Sequence, residues 1–361
     1  MSLKHLVDFN DITTDEWYGL QKLAAEIKSK PSDFAEYCRG KLLATLFYEP
    51  STRTMLSFQT AMYRLGGSVI GFDNPGNSSV AKGENLKDTI TIISSYADII
   101  AMRHPKEGAA LAASLYTDKP FINAGDGGHF HPTQTLTDLF TITEDKGRIS
   151  GLSIGLCGDL KHGRTVHSLL RALCMFGQNT FYLVSTLSLK LPQYIIDTLK
   201  QNGNTVYEVS SLEECIDKLD ILYMTRIQKE RFASEEQYRQ QSGQYILDPA
   251  KMAMARKDLS VLHPLPRVDE ITESVDFDSR ALYFKQAKNG MFIRMALIIK
   301  MLEADCDRTA DIFKHLDKPK KHVCPNPACI TRTEGYLPTL TYEISGPRPG
   351  HGCSYCDFRI D

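Results

Sequence analysis

The sequence predicts an α/β protein built from two doubly wound parallel-sheet domains and a small cysteine-rich C-terminal module. Three observations predict it. Short apolar, β-rich runs alternate with helical patterns from residue 41 to about residue 265; such alternation builds parallel sheets with helices on both faces. The alternation falls into two sets, joined near residues 133–151. After residue 316 the character changes to a polar linker and then a segment rich in Pro, Gly and Cys.

In the first set, 41–47 reads as a strand and 52–65 as a helix, with Met55, Phe58, Met62 and Leu65 on one face. Gly66-Gly67 ends that helix. Strands are expected at 68–72, 98–102 and 121–124, then a long helix at 133–144. The second set runs strand 153–157, helix 165–176, strand 181–184, helix 193–201 and strands 205–209, 221–224 and 261–263. The apolar helix 290–302 is expected to pack back onto the first domain. The resulting division is 1–135 with a returning helix 290–307, then 136–289, then 318–361.

Composition bounds the function. At roughly 150 residues per domain, 361 residues make two domains and a small third. With 42 Lys+Arg against 44 Asp+Glu, the net charge of -2 excludes a polyanion binder held by bulk charge. Anion chemistry must come from local Arg and Lys clusters. No stretch of about 18 apolar residues exists to span a membrane. Residues 1–10 lack a signal-peptide core, so the expected compartment is the cytoplasm. Cys38, Cys157, Cys174, Cys215 and Cys306 are scattered, mostly among apolar residues, as buried thiols are.

The segment from Phe47 to Thr54 (Phe-Tyr-Glu-Pro-Ser-Thr-Arg-Thr) runs from strand into helix. Pro50 disfavours helix before the turn, and Ser51 is a natural N-cap. A helix N-terminus offers free N–H groups and a positive dipole end to a phosphate. The hydroxyls of Ser51, Thr52 and Thr54 and the guanidinium of Arg53 add donors. Taken alone, the segment is equally well a plain capped helix with Arg53 in water. Two further segments favour the anion site. Arg103-His104-Pro105 follows a strand, and His131-Pro132-Thr133-Gln134 follows another through Gly125-Asp126-Gly127-Gly128. Ligands of open α/β sheets bind beyond strand carboxyl ends, so Arg53, Arg103 and His131 share one rim.

The tail pairs Cys324 with Cys329, four residues between them, and Cys353 with Cys356, two between them. Two short-spaced pairs in a reducing compartment read as a tetrahedral zinc site rather than disulfides. Four cysteine ligands leave no open position, so the zinc is expected to be structural and to fold the 318–361 domain. No organic cofactor is expected.

Phe47 to Thr54, Arg103-His104-Pro105, His131 to Gln134 and His263-Pro264-Leu265-Pro266-Arg267 resemble, in order and spacing, the motifs of aspartate carbamoyltransferase catalytic chains. The resemblance covers roughly residues 1–307. It implies transfer of a carbamoyl group from carbamoyl phosphate to the amine of L-aspartate, in pyrimidine synthesis. Carried over residue by residue, Ser51, Thr52, Arg53, Thr54 and Arg103 hold the phosphate. Thr54, Arg103 and His131 contact the carbamoyl oxygen, and Gln134 with the backbone carbonyls of Leu265 and Pro266 holds the carbamoyl amide. Arg164, Arg226 and Gln228 bind the aspartate carboxylates, and residues 229–245 form a closing loop. Ser78 and Lys82 reach the active site of a neighbouring subunit, implying a homotrimer with shared sites. The tail resembles the zinc domain of aspartate carbamoyltransferase regulatory chains, here fused behind the catalytic chain. A nucleotide-binding domain has no room between residues 316 and 324, and a bridging role between trimers is the expectation left open.

Rival readings fit less well. Ornithine carbamoyltransferases usually carry Cys where this chain has Pro264, and a Ser-Met-Gly motif that this chain lacks. A zinc-ribbon nucleic-acid binder would be more basic. A catalytically dead scaffold would have lost some of the expected site residues.

Overall fold

The computed structural model describes residues 4–227, 245–304, 324–344 and 349–360. It divides into two compact units, Met1–Thr133 with Met291–Asp361, and Gln134–Gly290.

The first unit is built on a five-stranded parallel sheet. Its strands are β1 (His5–Leu6), β2 (Leu42–Phe47), β3 (Ser68–Phe72), β4 (Ile99–His104) and β5 (Phe121–Asp126), ordered β1-β5-β4-β2-β3. β2 is a near-continuous apolar run and β5 is buried at every position, because both their faces are covered. Helix α1 (Thr14–Ser29) opens with a Thr13/Glu16 capping box and buries Trp17, Leu20, Ala24 and Ile27. Helix α2 (Thr52–Arg64) buries Thr54, Phe58, Ala61 and Met62. It stops at Gly66, whose φ of +81° and closeness to the Ala35 carbonyl exclude a side chain. Helices α3 (Leu86–Tyr96) and α4 (Ala109–Ser114) complete the layers.

The second unit repeats the plan. Helix α5 (Pro132–Lys146) leads into strands β6 (Ser153–Cys157), β7 (Thr180–Val184), β8 (Thr205–Val209), β9 (Ile221–Met224) and β10 (Ser260–Leu262). All pair in parallel, in the order β10-β9-β6-β7-β8. Helices α6 (Arg164–Cys174), α7 (Gln193–Gln201) and α8 (Pro249–Met254) are the connections. Helix α9 (Tyr283–Glu303) starts in this unit and, from Met291, belongs to the first. There Arg294 donates to Ser57 Oγ at 3.0 Å and covers the Phe58 ring at 5.1 Å. No helix among the described residues is long and apolar enough to cross a membrane.

The tail from Cys324 belongs to the first unit. It carries an antiparallel hairpin, β11 (Thr341–Ile344) and β12 (Gly350–Cys353). Too short for a core of its own, it borrows one. Cys324, Cys329, Ile330, Cys353, Tyr355 and Cys356 share a buried cluster with the alanine-rich helix α4. The Glu107 backbone bonds Ala328 O and Ile330 N, both at 2.9 Å, and Asn326 Nδ2 donates to Glu107 Oε2 at 2.7 Å. Lys87 N donates to the Tyr336 hydroxyl at 2.8 Å.

Gly108 has a φ of +79°, and a Cβ there would lie 2.4 Å from the Tyr355 carbonyl oxygen. Gly108→Ala is therefore expected to raise amide hydrogen exchange across 324–360 while leaving the β6–β10 sheet protected. Unchanged tail protection would refute this packing account.

Candidate active site

In the first unit, β2, β4 and β5 lie side by side, so the segments after their carboxyl ends gather on one rim. The residues predicted for the first unit's rim lie in these segments, and Arg103 and His131 both approach Gly125. Ser51 occupies the N-cap position of α2 but makes no side-chain capping bond. Thr52 and Arg53 are exposed in the first turn, and Thr54 is buried. Arg103, near the end of β4, is held by Glu49, Nη2 to Oε1 2.7 Å. Gly125 has a φ of +121°, and a Cβ built there would sit 3.1 Å from Arg103 Nη1 and 3.5 Å from His131 Cδ2. The missing side chain is what lets the guanidinium come this close, with the imidazole in contact distance of the same point. His104, between Arg103 and Pro105, has another task. Its Nδ1 accepts from Lys106 N at 3.0 Å, its ring packs on Tyr48, and burial pushes its pKa down to about 4. Ser78 and Lys82 lie on a surface loop of two 3-10 turns, Pro75–Asn77 and Ser79–Lys82, where Lys82 is exposed.

Asp126 ties the rim together. It is 1% exposed and accepts from Gly108 N (2.8 Å), Phe130 N (3.0 Å) and Asn123 Nδ2 (3.0 Å). His129 Nδ1 lies 3.2 Å from Asp126, and its Nε2 forms an ion pair with Asp357 of the tail at 3.4 Å. Burial alone would depress the His129 pKa, but the two carboxylates outweigh it and raise it to about 10. None of Glu49, Asp126 or His129 was foreseen from the sequence. The acid inside a cationic turn and the His two places before His131 were the available signals.

In the second unit, β6 and β9 are adjacent, with Cys157 opposite Met224. Arg164 opens α6 after β6, and Arg226 follows β9 by two residues, so both stand at carboxyl ends of neighbouring strands. Both are partly buried. Gln228 and residues 229–244, the expected closing loop, lie outside the described residues. Gln134 sits in the first turn of α5, and its Nε2 donates to Asp138 Oδ1 at 2.7 Å. Leu265 has a φ of 54° and precedes the cis Leu265-Pro266 bond. Its N–H donates to His263 Nδ1 at 2.7 Å, and His263 Nε2 meets Glu270 at 2.7 Å.

The four tail cysteines are buried, with ligand atoms all within 4.8 Å of one another. Cys324 and Cys356 sulfurs are 3.6 Å apart, and those of Cys329 and Cys353 are 3.9 Å apart. A disulfide is ~2 Å long, so these are not bonded pairs. Four sulfurs at ~2.3 Å from a central ion stand ~3.8 Å apart, and the donor set fits a tetrahedral metal.

Gly125→Ala is expected to lower activity by ~10–100-fold, because straining the backbone at φ +121° and displacing Arg103 by a few tenths of an ångström spoils preorganised geometry. Wild-type turnover from this variant would remove Gly125 from the argument. The His129 ion pairs carry a pH signature. Its folded pKa lies above the ordinary 6.5, so their stabilisation is complete below pH 6.5 and is lost as pH rises towards about 10. Thermal melts across that window should show a decline that His129→Gln flattens. Parallel slopes in the two proteins would count against it.

Comparison with known proteins agrees with this geometry. Residues 4–144 match the aspartate/ornithine carbamoyltransferase carbamoyl-P binding domain, and residues 150–301 match the Asp/Orn binding domain of the same family. The Clostridium perfringens aspartate carbamoyltransferase catalytic subunit is 58% identical over 300 residues, 83% of this chain and 98% of that protein. Among solved structures, the catalytic subunit of M. jannaschii aspartate transcarbamoylase superposes with a TM-score of 0.80 at 48% identity, covering 84% of this chain and 99% of that one. The Trypanosoma cruzi aspartate transcarbamoylase, solved with N-(phosphonacetyl)-L-aspartic acid, does so with a TM-score of 0.78 at 39% identity, covering 82% and 95%. The matched domains end at residue 301 and leave the cysteine tail outside them. With both of its domains matched and its rim residues gathered as described, the chain belongs to the family of aspartate carbamoyltransferase catalytic chains.

Proposed function

We propose that the first unit binds carbamoyl phosphate and the second binds L-aspartate through the residues placed above. The chain transfers the carbamoyl group of carbamoyl phosphate to the aspartate amine, giving N-carbamoyl-L-aspartate and phosphate, an early step of pyrimidine synthesis. The T. cruzi enzyme has been solved with carbamoyl phosphate and with aspartate, which supports this choice of ligands. The observation that carries the assignment of roles is the convergence of Arg103 and His131 on Gly125.

In this reading Ser51, Thr52, Arg53 and the N–H groups of α2 hold the phosphate, with Arg103. The aspartate amine, as the free base, attacks the carbamoyl carbon. Negative charge builds on the carbonyl oxygen, where Thr54, Arg103 and His131 donate. The C–O bond to phosphate then breaks, and the phosphate leaves with the electron pair and takes the proton released by the amine. Arg164, Arg226 and Gln228 hold the two aspartate carboxylates, the guanidinium fork suiting each. No covalent intermediate on the protein is needed, since positioning and charge stabilisation suffice.

Ser78, partly buried on its loop, and the exposed Lys82 act in this proposal on the site of a neighbouring subunit, which makes the working unit a homotrimer. The tail binds zinc through Cys324, Cys329, Cys353 and Cys356, and the zinc crosslinks a module related to the zinc domain of regulatory chains. A reducing cytoplasm keeps those thiols available. The metal's part is structural: it holds the tail against α4 and the Glu107 loop, four residues beyond Arg103.

The primary test is carbamoyl aspartate formation, with ornithine in parallel. Turnover is expected with aspartate alone, and turnover with ornithine would overturn the aspartate assignment. Arg103→Ala should lower kcat by ~10²–10³-fold. Mixing inactive Arg53→Ala and Lys82→Ala subunits should restore activity in hybrid trimers; no recovery after verified exchange would sink shared sites. Stripping zinc with a chelator should release the tail and lower activity by less than ~10-fold, because no residue of the proposed site belongs to it.

A further inference from the structure

In the second unit, a run of buried hydrogen bonds starts at Gln134 and ends at the Leu265 loop. Asp138, fully buried, accepts at Oδ1 from Gln134 Nε2 (2.7 Å) and from Gln286 Nε2 (2.6 Å), and at Oδ2 from the Tyr223 hydroxyl (2.9 Å). Gln286 Oε1 accepts from His263 N at 2.9 Å, and His263 Nδ1 accepts from Leu265 N at 2.7 Å. His263 Nε2 then carries the proton and donates to Glu270 at 2.7 Å. Asp138, Tyr223, Gln286, His263 and Glu270 are each at most 5% exposed.

The direction of every bond in this run is forced. A carboxylate only accepts, so both glutamine amides must turn their NH₂ ends to Asp138. Burial, and then the charge of Asp138, push the Tyr223 phenol pKa well up, so its hydroxyl stays a donor. With one N–H of its NH₂ bound to Asp138, Gln134 keeps its carbonyl oxygen and one further N–H for a ligand, and the carboxylate fixes which end of the amide is which. Flipped, the same amide would present N–H groups, and nothing in its shape resists the flip. Asp138 supplies the resistance.

We propose that Asp138 is the positioning residue that makes the amide pocket accept N–H donors, and so selects carbamoyl phosphate over acetyl phosphate. The proposal rests on the reading that Gln134 and the carbonyls of Leu265 and Pro266 face the carbamoyl NH₂. Carbamoyl and acetyl phosphate share the phosphate and the carbonyl and differ only in NH₂ against CH₃. A pocket lined by three acceptor oxygens leaves them unpaired against a methyl group, and such sites reject the analogue strongly.

The readout is the ratio of kcat/KM for the two acyl phosphates with aspartate as acceptor, or of their inhibition constants where acetyl transfer is too slow to follow. Loss of fold or of trimer lowers both substrates alike and leaves this ratio unmoved. Asp138→Leu should narrow the ratio by at least ~10-fold. Asp138→Asn keeps an oxygen towards both glutamines and turns its NH₂ to the Tyr223 oxygen, so it should keep the wild-type ratio. Gln286→Leu, which spares the Gln134 bond and cuts the arm to His263, should narrow it too, and it serves as the second variant if Asp138→Leu does not fold. A ratio that stays at the wild-type value in both Asp138→Leu and Gln286→Leu, while Gln134→Ala narrows it, overturns the role of Asp138. A ratio unmoved in Gln134→Ala overturns instead the reading beneath it.

Discussion

Asp126 lies under the first unit's rim with almost no exposure, and it holds three backbone or amide donors and the His129 ring. Two loops that are distant in sequence, the one after β4 and the one after β5, are pinned to this single carboxylate. Leaving such donors unpaired in a buried place costs ~1–3 kcal/mol each, so the loops have one low-energy arrangement. That arrangement delivers Arg103 and His131 to the two sides of Gly125. Asp138 does the same work in the second unit, where it holds Gln134 and, through Gln286, the His263 segment. In each unit a buried carboxylate, which never needs to touch a substrate, fixes where the polar groups of the rim stand.

The tail adds a second hold on the first of these frames. Its contacts fall on Gly108 and His129, which are Asp126's own partners, and on Glu107 beside them. The cost of ordering a segment this short exceeds what its few apolar side chains return. Sharing the α4 cluster supplies part of the difference, and the four buried cysteines form a donor set that fits a metal crosslink. The poly-alanine surface of α4 fits this task, since small side chains let the cysteine loops approach the helix closely.

The parallel architecture was legible in the sequence because each central strand is an apolar run bounded by turn residues. The strands 68–72, 153–157, 205–209 and 221–224 were placed to the residue. Helices α1 and α3 were passed over. Their apolar stripes are interrupted by Tyr18 and Tyr96, both exposed, so the 3.6-residue period is blurred. The short strand β1 earns its place only by pairing with β5, a contact no local pattern encodes. At the site, the residues that meet ligand stand out as cations and hydroxyls at strand ends. Asp138 was not legible as a partner of His263, because the link runs through Gln286, which is 148 positions along the chain from Asp138.

That division between legible and hidden residues has a physical origin. A group that binds an anion must be of a special type and must sit at a strand end or a helix start, and both properties are local. A group that orients the binder needs only the right polarity and a buried position, and burial is settled by the whole fold. Gln134 shows both sides. Its type and place mark it as a candidate from the sequence, yet an amide is ambiguous by 180°, and its two orientations offer a ligand opposite polarity. Only the carboxylate one helical turn later, itself locked by Tyr223 and Gln286, turns that ambiguous side chain into an acceptor. The chemistry of the pocket is therefore written in residues that a motif search does not contain.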